Sequence, residues 1–215
     1  HQLIIKDSAD YESQSSYSIL LEARDDDGAT VVKGFTINVN DINDTPTDIS
    51  IDSSSIDENN YSGTTVAFLS AADQDSGESH TFSLVSGSSS TDNDKFTIAG
   101  HQLIIKDSAD YESQSSYSIR LATTDQDGAS FENDFTINVN DINDDPTDIF
   151  VLNTTPFNEN IPVGSTVAYL SAVDQDSAEG HTYSLVSNSS YSDNDSFTIS
   201  GNELIVKESL DYESQ

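Results

Sequence analysis

Carboxylates dominate the residues that could do chemistry, and they come in pairs. Asp73 and Asp75 stand one residue apart in AADQD, and the pair returns as Asp174 and Asp176 in AVDQD. Asp110 and Glu112 have the same spacing in ADYE, as do Asp10 and Glu12 in an identical ADYE, and Asp125 is followed by Asp127 in TTDQDG. Glu58 lies in DEN and Glu159 in NEN, and two acidic runs, DINDTPTDI at 41–49 and DINDDPTDI at 141–149, add Asn43, Asp44, Asn143 and Asp144. In an extended segment alternate side chains point the same way, so the two acids of D-x-D are expected to converge. Like charges that close repel unless they are solvated or share a cation. Ca²⁺ takes about six to eight oxygens from carboxylates, amides and backbone, so a donor set without His or Cys suits it better than zinc or copper. Mg²⁺ keeps its waters and fits less well. One such pair is weak evidence, whereas a series recurring in fixed order is much stronger.

That order comes from a repeat. HQLIIKDSADYESQSSYSI occupies 1–19 and recurs without change at 101–119, and NELIVKESLDYESQ at 202–215 is a diverged copy that brings Asp211 and Glu213. A period of about 100 residues is the size of a whole domain and too long for a solenoid unit. The register divides the chain into the C-terminal part of one repeat (1–46), a complete repeat (47–146) and the N-terminal part of a third (147–215). Starting without Met on the strand-like HQLIIK, the chain reads as a segment of a longer one.

Within the complete repeat, apolar alternation predicts strands at 47–51, 64–71, 81–85, 96–98, 102–105, 117–123 and 134–139, separated by Gly, Ser, Asn and Asp clusters. No segment has the pattern of an amphipathic helix. Seven short strands in about 100 residues describe an all-β, two-sheet sandwich. Phe96, Tyr117 and Phe135 are the expected core aromatics. The opening part-repeat is expected to hold three strands (HQLIIK, SYSILLEA, FTINVN) and the closing one five, including TYSLV at 182–186. Neither would cover both faces of a sandwich alone; either the open ends reflect only where the segment is cut from its parent, or the two ends of different copies complement one another head-to-tail.

Composition excludes several functions. With 7 Lys+Arg against 39 Asp+Glu the net charge is −32, the wrong sign for phosphate backbones or anionic membrane surfaces. No apolar run is long enough to insert in a bilayer, and no Cys is present for disulfides or thiolate ligands. No nucleophile or cofactor motif emerges, so an enzyme is not expected. His80 and His181, one repeat apart, are read as surface or strand-edge residues, as are His1 and His101. DQDG at 125–128 echoes an EF-hand loop, but Thr123 and Asp134 would fall at its first and last ligand positions, which rules it out.

The succession of a Glu-Asn motif, A-x-D-x-D, D-Y-E where D-R-E is common, a second D-x-D and D-x-N-D-x-P resembles cadherin repeats along the entire chain. The resemblance implies tandem seven-stranded Greek-key sandwiches, immunoglobulin-like and of cadherin type, with Ca²⁺ held where successive repeats join. Carried over by position, it implies that Asp10, Glu12, Asn43, Asp44, Asp73, Asp75 and Asp125 hold ions at the earlier junction. Glu58, Asp110, Glu112, Asn143, Asp144, Asp174 and Asp176 would do so at the later one. Backbone carbonyls of Ile42, Thr45, Ile142 and Asp145 would contribute. Near-identical repeats, a Ser/Asp/Asn-rich acidic surface and the lack of Cys are similar to bacterial cadherin-like modules of large adhesins. The expected role is then a Ca²⁺-stiffened extender at the cell surface or outside the cell. It would support adhesion, homophilic adhesion included, with neighbouring repeats and other copies as partners and no membrane insertion by this segment.

Two alternatives are weighed against this. Salt adaptation would scatter solvated acids over the surface rather than cluster them at turns. A polysaccharide-binding module would need exposed aromatic rings, for which Tyr61, Phe131 and Tyr191 are the candidates. Asn60, Asn153, Asn188 and Asn194 lie in N-x-S/T sequons, which matter only in a eukaryotic secretory pathway.

Overall fold

The computed structural model of the protein describes residues 2–153, 156–176, 179–186 and 192–209. These form strands and two short 3-10 turns, and no helix among them is long and apolar enough to cross a membrane. The chain makes two compact units, His1–Asp141 and Ile142–Gln215.

The first unit begins with an antiparallel pair, β1 (Ser16–Arg24) and β2 (Thr30–Asn38). Eight strands follow: β3 (Asp48–Ile51), β4 (Ser55–Asp57), β5 (Thr65–Ala72), β6 (Thr81–Leu84), β7 (Phe96–Ala99), β8 (Gln102–Ile105), β9 (Ser116–Thr124) and β10 (Ser130–Asn140). They form two four-stranded sheets, ordered β4-β10-β9-β6 and β3-β5-β8-β7, with one core between them. On β9 the alternation of SYSIRLATT turns Tyr117, Ile119, Leu121 and Thr123 inward, all buried. They meet Ile49, Val66, Leu69, Phe96, Leu103, Ile105, Ile137 and Val139, and Phe135 packs at the margin. Phe96 sets its ring edge-on to Tyr117, with centroids 5.4 Å apart.

The structure departs from simple alternation in instructive places. Val66 and Ala67 are both buried because the β5–β8 register shifts between Thr65 and Ala67, a bulge that turns two neighbours to one face. β4 was not expected: it is a three-residue strand parallel to β10, too short to show a period. β10 also begins at Ser130 rather than Asp134. Its polar first residues pair with β9, and the Arg120 guanidinium reaches across to Glu132 (3.0 Å) and Asp134 (2.6 Å). Where β6 ends, loop side chains take over the edge of β9: Asp92 accepts the Ser118 N–H at 2.7 Å and Asn93 the Arg120 N–H at 3.0 Å.

The strand expected at HQLIIK does not form; residues 2–5 are irregular. The same letters at 102–105 make β8, which pairs with β5 on one side and β7 on the other. Neither β5 nor β7 has a counterpart among the described residues before β1, so residues 2–5 find no strand there to ladder with.

The second unit holds β11 (Asp148–Leu152), β12 (Thr166–Val173), β13 (Phe197–Ser200) and β14 (Glu203–Val206), ordered β11-β12-β14-β13. This repeats the β3-β5-β8-β7 sheet down to the bulge, here between Thr166 and Ala168. The strand expected at TYSLV is absent, since residues 181–186 are irregular. In the complete repeat the equivalent β6 is held by β9, which has no counterpart among the described residues of the second unit.

Candidate metal centre

The linker that starts at residue 41 is pinned at its far end. Pro46 is fully buried, and the Thr47 N–H donates to the Ala72 carbonyl at 2.8 Å. Asp44 is held by the D-x-D motif, since its N–H donates to Asp75 Oδ2 at 2.6 Å while the Asp75 N–H donates to Asp73 Oδ1 at 3.3 Å. These acids therefore converge through a bend after β5 in which a side chain accepts from the backbone two residues on. They are not on an extended strand, as alternation had suggested. Asn43 Nδ2 donates to the Asp44 carbonyl (2.8 Å) and to Asp125 Oδ2 (3.1 Å).

Carboxylate oxygens of Glu12, Asp44 and Asp75 lie within 4.8 Å of one another, as do those of Asp73, Glu78 and Asp125. Ligand oxygens on opposite sides of a Ca²⁺ ion stand about 5 Å apart, given bonds of roughly 2.3–2.6 Å. Two further atoms fit the same chemistry: Asn43 Oδ1 and Glu78 Oε2 are buried without a hydrogen-bond partner. Orphaned acceptors of this kind are costly unless something positive meets them. The open cleft is lined by Glu12, Asp41, Asn43, Asp75, Glu78 and Asp127. With an all-oxygen donor set and unpaired buried acceptors, the residues fit a hard divalent cation.

Electrostatics follow from this crowding. Desolvation first, then the charges of Asp41, Asp75 and Asp44, push the Glu12 carboxyl up, against its own backbone hydrogen bond. Glu78 is pushed up in the same way by desolvation and by Asp75, Asp125, Asp127 and Asp73. For Asp125 desolvation also acts upward, but hydrogen bonds from Asn43 and the N–H groups of Ala129 and Gly128 outweigh it and hold the carboxyl below its ordinary value. Those two backbone donors lie at 2.8 and 2.7 Å from Oδ1, in a turn that Gly128 closes at φ +94°.

Asp10 stands apart from both groups, since its oxygens accept the Ser13 N–H (3.1 Å), the Ser13 hydroxyl (2.9 Å) and Gln74 Nε2 (3.3 Å). Near the other end of the complete repeat, oxygens of Glu58, Asp110 and Glu112 gather within 4.8 Å. Glu58 is buried, and its Oε2 accepts the Tyr111 N–H at 2.7 Å. In the second unit Asn143 donates to the Asp144 carbonyl (2.6 Å), the Asp144 N–H to Asp176 (2.7 Å) and the Asp176 N–H to Asp174 (3.1 Å). That is the hydrogen-bond pattern of the first linker over again. Asp211 and Glu213 lie outside the described residues.

The sequence reading missed two participants. His80 is not a free surface residue: its Nε2 lies 2.9 Å from Asp73 Oδ2, and His181 repeats the contact with Asp174 at 2.8 Å. The His181 hydrogen bond is the largest cause holding the Asp174 carboxyl below its ordinary value. Glu78 is the second. Both leave a signal in DQDSGESH and DQDSAEGH, where His and Glu keep their distance from D-x-D in successive repeats. The aromatic platform for sugars does not form: Tyr61 is exposed, but Phe131 packs against the core, and Tyr191 lies outside the described residues.

No family model matches the chain. It is similar to protocadherin gamma-A11 of Homo sapiens, 33% identical over 190 residues, which are 84% of this chain and 20% of that protein. It is also similar to protocadherin alpha-2 of Homo sapiens, 33% identical over 192 residues, with coverages of 83% and 20%. The chain thus spans about a fifth of the length of the curated relatives it matches. Among solved structures it is similar to protocadherin gamma B2 extracellular cadherin domains 1–5, with a TM-score of 0.66 at 24% identity over 98% of this chain and 42% of that one. The protocadherin gammaB7 EC3-6 cis-dimer structure gives 0.65 at 22% identity, covering 95% and 53%. These structures establish the fold.

Proposed function

Taking these as repeats of the cadherin family, in fold and in sequence similarity, we propose that the chain is a Ca²⁺-binding extender segment of an extracellular or cell-surface adhesin. Its repeats divide at 1–46, 47–146 and 147–215. The observation that carries the reading is Asn43 Oδ1, a buried amide oxygen with no hydrogen-bond partner, on a side chain whose Nδ2 meets Asp125 and whose neighbour Asp44 is held by Asp75. Ca²⁺ would be held there by Asn43, Asp44, Glu12, Asp73, Asp75 and Asp125, with Asp10 at the margin. On sequence register, Glu58, Asp110 and Glu112, and likewise Asn143, Asp144, Asp174 and Asp176, are ligands too.

Bound cations cancel the repulsion that would otherwise loosen an acidic linker, so the segment is stiff with Ca²⁺ and hinged without it. Length and stiffness are what an extender contributes to adhesion between cells, homophilic contacts between copies included. Repeats this alike, an acidic Ser/Asp/Asn-rich surface and the absence of Cys favour a large bacterial surface protein as the parent.

Calorimetric titration with Ca²⁺, beside thermal melts in Ca²⁺ and in chelator, tests the reading. One site at a hundredfold excess over Kd adds about 2.7 kcal/mol, which for a domain of this size raises Tm by roughly 10–20 °C. Proteolysis at 42–46 and 142–146 is expected to accelerate in chelator. Identical melts and digestion in both conditions would remove Ca²⁺ from the structural role.

A further inference from the structure

In the complete repeat, the side of the β3-β5-β8-β7 sheet turned away from the core is largely polar. Asp48 stands opposite Ala72 there and Ser50 opposite Ser70, and Asp52 Oδ1 accepts the Phe68 N–H at 2.7 Å. All six residues are exposed, so this side of the sheet meets solvent even in a whole sandwich.

The β11-β12-β14-β13 sheet keeps the strand order and the bulge, but its outer side carries different residues. Phe150 takes the place of Ser50, Leu152 that of Asp52 and Val173 that of Ala72, while Tyr169 stands where Phe68 does. Opposite residues of an antiparallel pair share a face. Leu152 is opposite Tyr169, Phe150 opposite Ser171 and Val173 opposite Asp148, so the four apolar side chains adjoin one another. Phe150 is 49% exposed, Leu152 48%, Tyr169 39% and Val173 39%. Together they open on the order of 300 Å², the size at which an apolar patch on a protein surface is often functional. The side that packs a core in the complete repeat plays no part in this patch. Both of its ends are acidic, with Asp148 beside Val173 and Glu203 beside Tyr169. None of the four strands carries a Lys or Arg.

We infer that this outer face docks a second protein of different sequence, one that presents apolar side chains flanked by Lys or Arg. The apolar centre would gain from any hydrophobic partner, so the rim decides which one fits. A second copy of this chain would bring Asp148 and Glu203 against their like, with a net charge of −32 on each side. A cationic partner meets a carboxylate at either end instead. Its guanidinium or ammonium groups lie over the rings of Phe150 and Tyr169, and their methylene stems cover Leu152. The complete repeat offers no equivalent surface, because Ser50 and Asp52 interrupt the patch. Two repeats alike in fold are thus told apart by three outward residues.

The inference stands apart from Ca²⁺ binding, so its test runs in chelator at physiological salt, with circular dichroism confirming that each chain is folded. The probe is a labelled helical peptide of about 18 residues with Leu on one face and Lys on the other, followed by fluorescence anisotropy. One control keeps every Lys and replaces Leu by Ser; another keeps Leu and replaces Lys by Glu. The wild-type chain is expected to bind the Leu/Lys peptide at least tenfold more tightly than either control. Phe150→Ser with Leu152→Ser leaves the net charge unchanged and is expected to remove that tenfold preference, whereas Phe68→Ser in the complete repeat leaves it in place. A wild-type chain that binds the Ser/Lys peptide equally well overturns the inference, since charge alone would then account for binding. So does equal binding of the Leu/Glu peptide, or a double variant that keeps the preference. Self-association in light scattering that the double variant abolishes would give the face to a second copy and likewise overturn the assignment.

Discussion

Leu3 and Leu103 sit in the same nineteen-residue sequence, so replacing each by Ala compares two environments with local sequence held constant. Leu103 is 0% exposed in the core of the complete repeat and Leu3 is 65% exposed. Leu→Ala removes about three carbon groups, roughly 2.4 kcal/mol of transfer free energy at about 0.8 per group. The cavity left among Phe96, Ile105 and Ile119 raises this to about 3–5 kcal/mol. Leu3→Ala leaves no cavity and is expected to cost under about 0.5 kcal/mol. Urea unfolding followed by circular dichroism measures the contrast: with a slope of about 1–2 kcal/mol per molar, Leu103→Ala shifts the midpoint by about 2 M or more and Leu3→Ala scarcely moves it. Equal shifts would refute the reasoning, because they would mean that the nineteen residues carry their stability locally.

Asp75→Asn keeps an acceptor for the Asp44 N–H but removes one charge from the cleft. Calorimetry is expected to show Ca²⁺ affinity weakened about tenfold or more, by about 1.5–3 kcal/mol for a lost charged interaction, with the melt in chelator unchanged. Asp92→Asn weakens the bonds that Asp92 accepts from the Ser118 N–H and Gln114, at a cost of about 1 kcal/mol at neutral pH. Desolvation acts upward on Asp92, but these bonds outweigh it and its carboxyl titrates below the ordinary 3.8. The contribution is therefore complete above that value and lost as pH falls through the lowered one. Wild-type and Asp92→Asn stabilities measured by urea unfolding should then converge in strong acid.

Strands with a strict period were legible in the sequence because alternation on a half-buried sheet is a local property: β6, β7 and β8 begin where the apolar residues place them. β4 was not, since three residues paired in parallel to a distant strand carry no period. HQLIIK and TYSLV show the opposite failure. Their patterns are those of strands, but a strand exists only against a partner, and among the described residues neither segment has the partner that its twin, β8 or β6, pairs with. The candidate site divides similarly. Recurrence exposed the carboxylates, whereas the bends that converge them, and the His80–Asp73 contact, depend on how loops return across the end of a sheet.

The charge balance of the cleft gives the strongest reason to look for a cation there. With 7 Lys+Arg against 39 Asp+Glu, basic side chains cannot neutralise the converging acids, and the ion pairs of Arg24 and Arg120 serve other carboxylates. Backbone N–H groups satisfy part of the need: Asp44 for Asp75, Asp75 for Asp73, and Gly128 and Ala129 for Asp125. Of the remaining oxygens, Asp125 Oδ2 meets Asn43 Nδ2 and Asp73 Oδ2 meets His80 Nε2, while Glu78 Oε2 has no hydrogen-bond partner. Glu12 and Glu78, desolvated among like charges, are held more easily protonated for that reason. A proton relieves one carboxylate at a time, while a divalent ion relieves several at once and also meets the amide oxygen of Asn43, which no proton at neutral pH would satisfy.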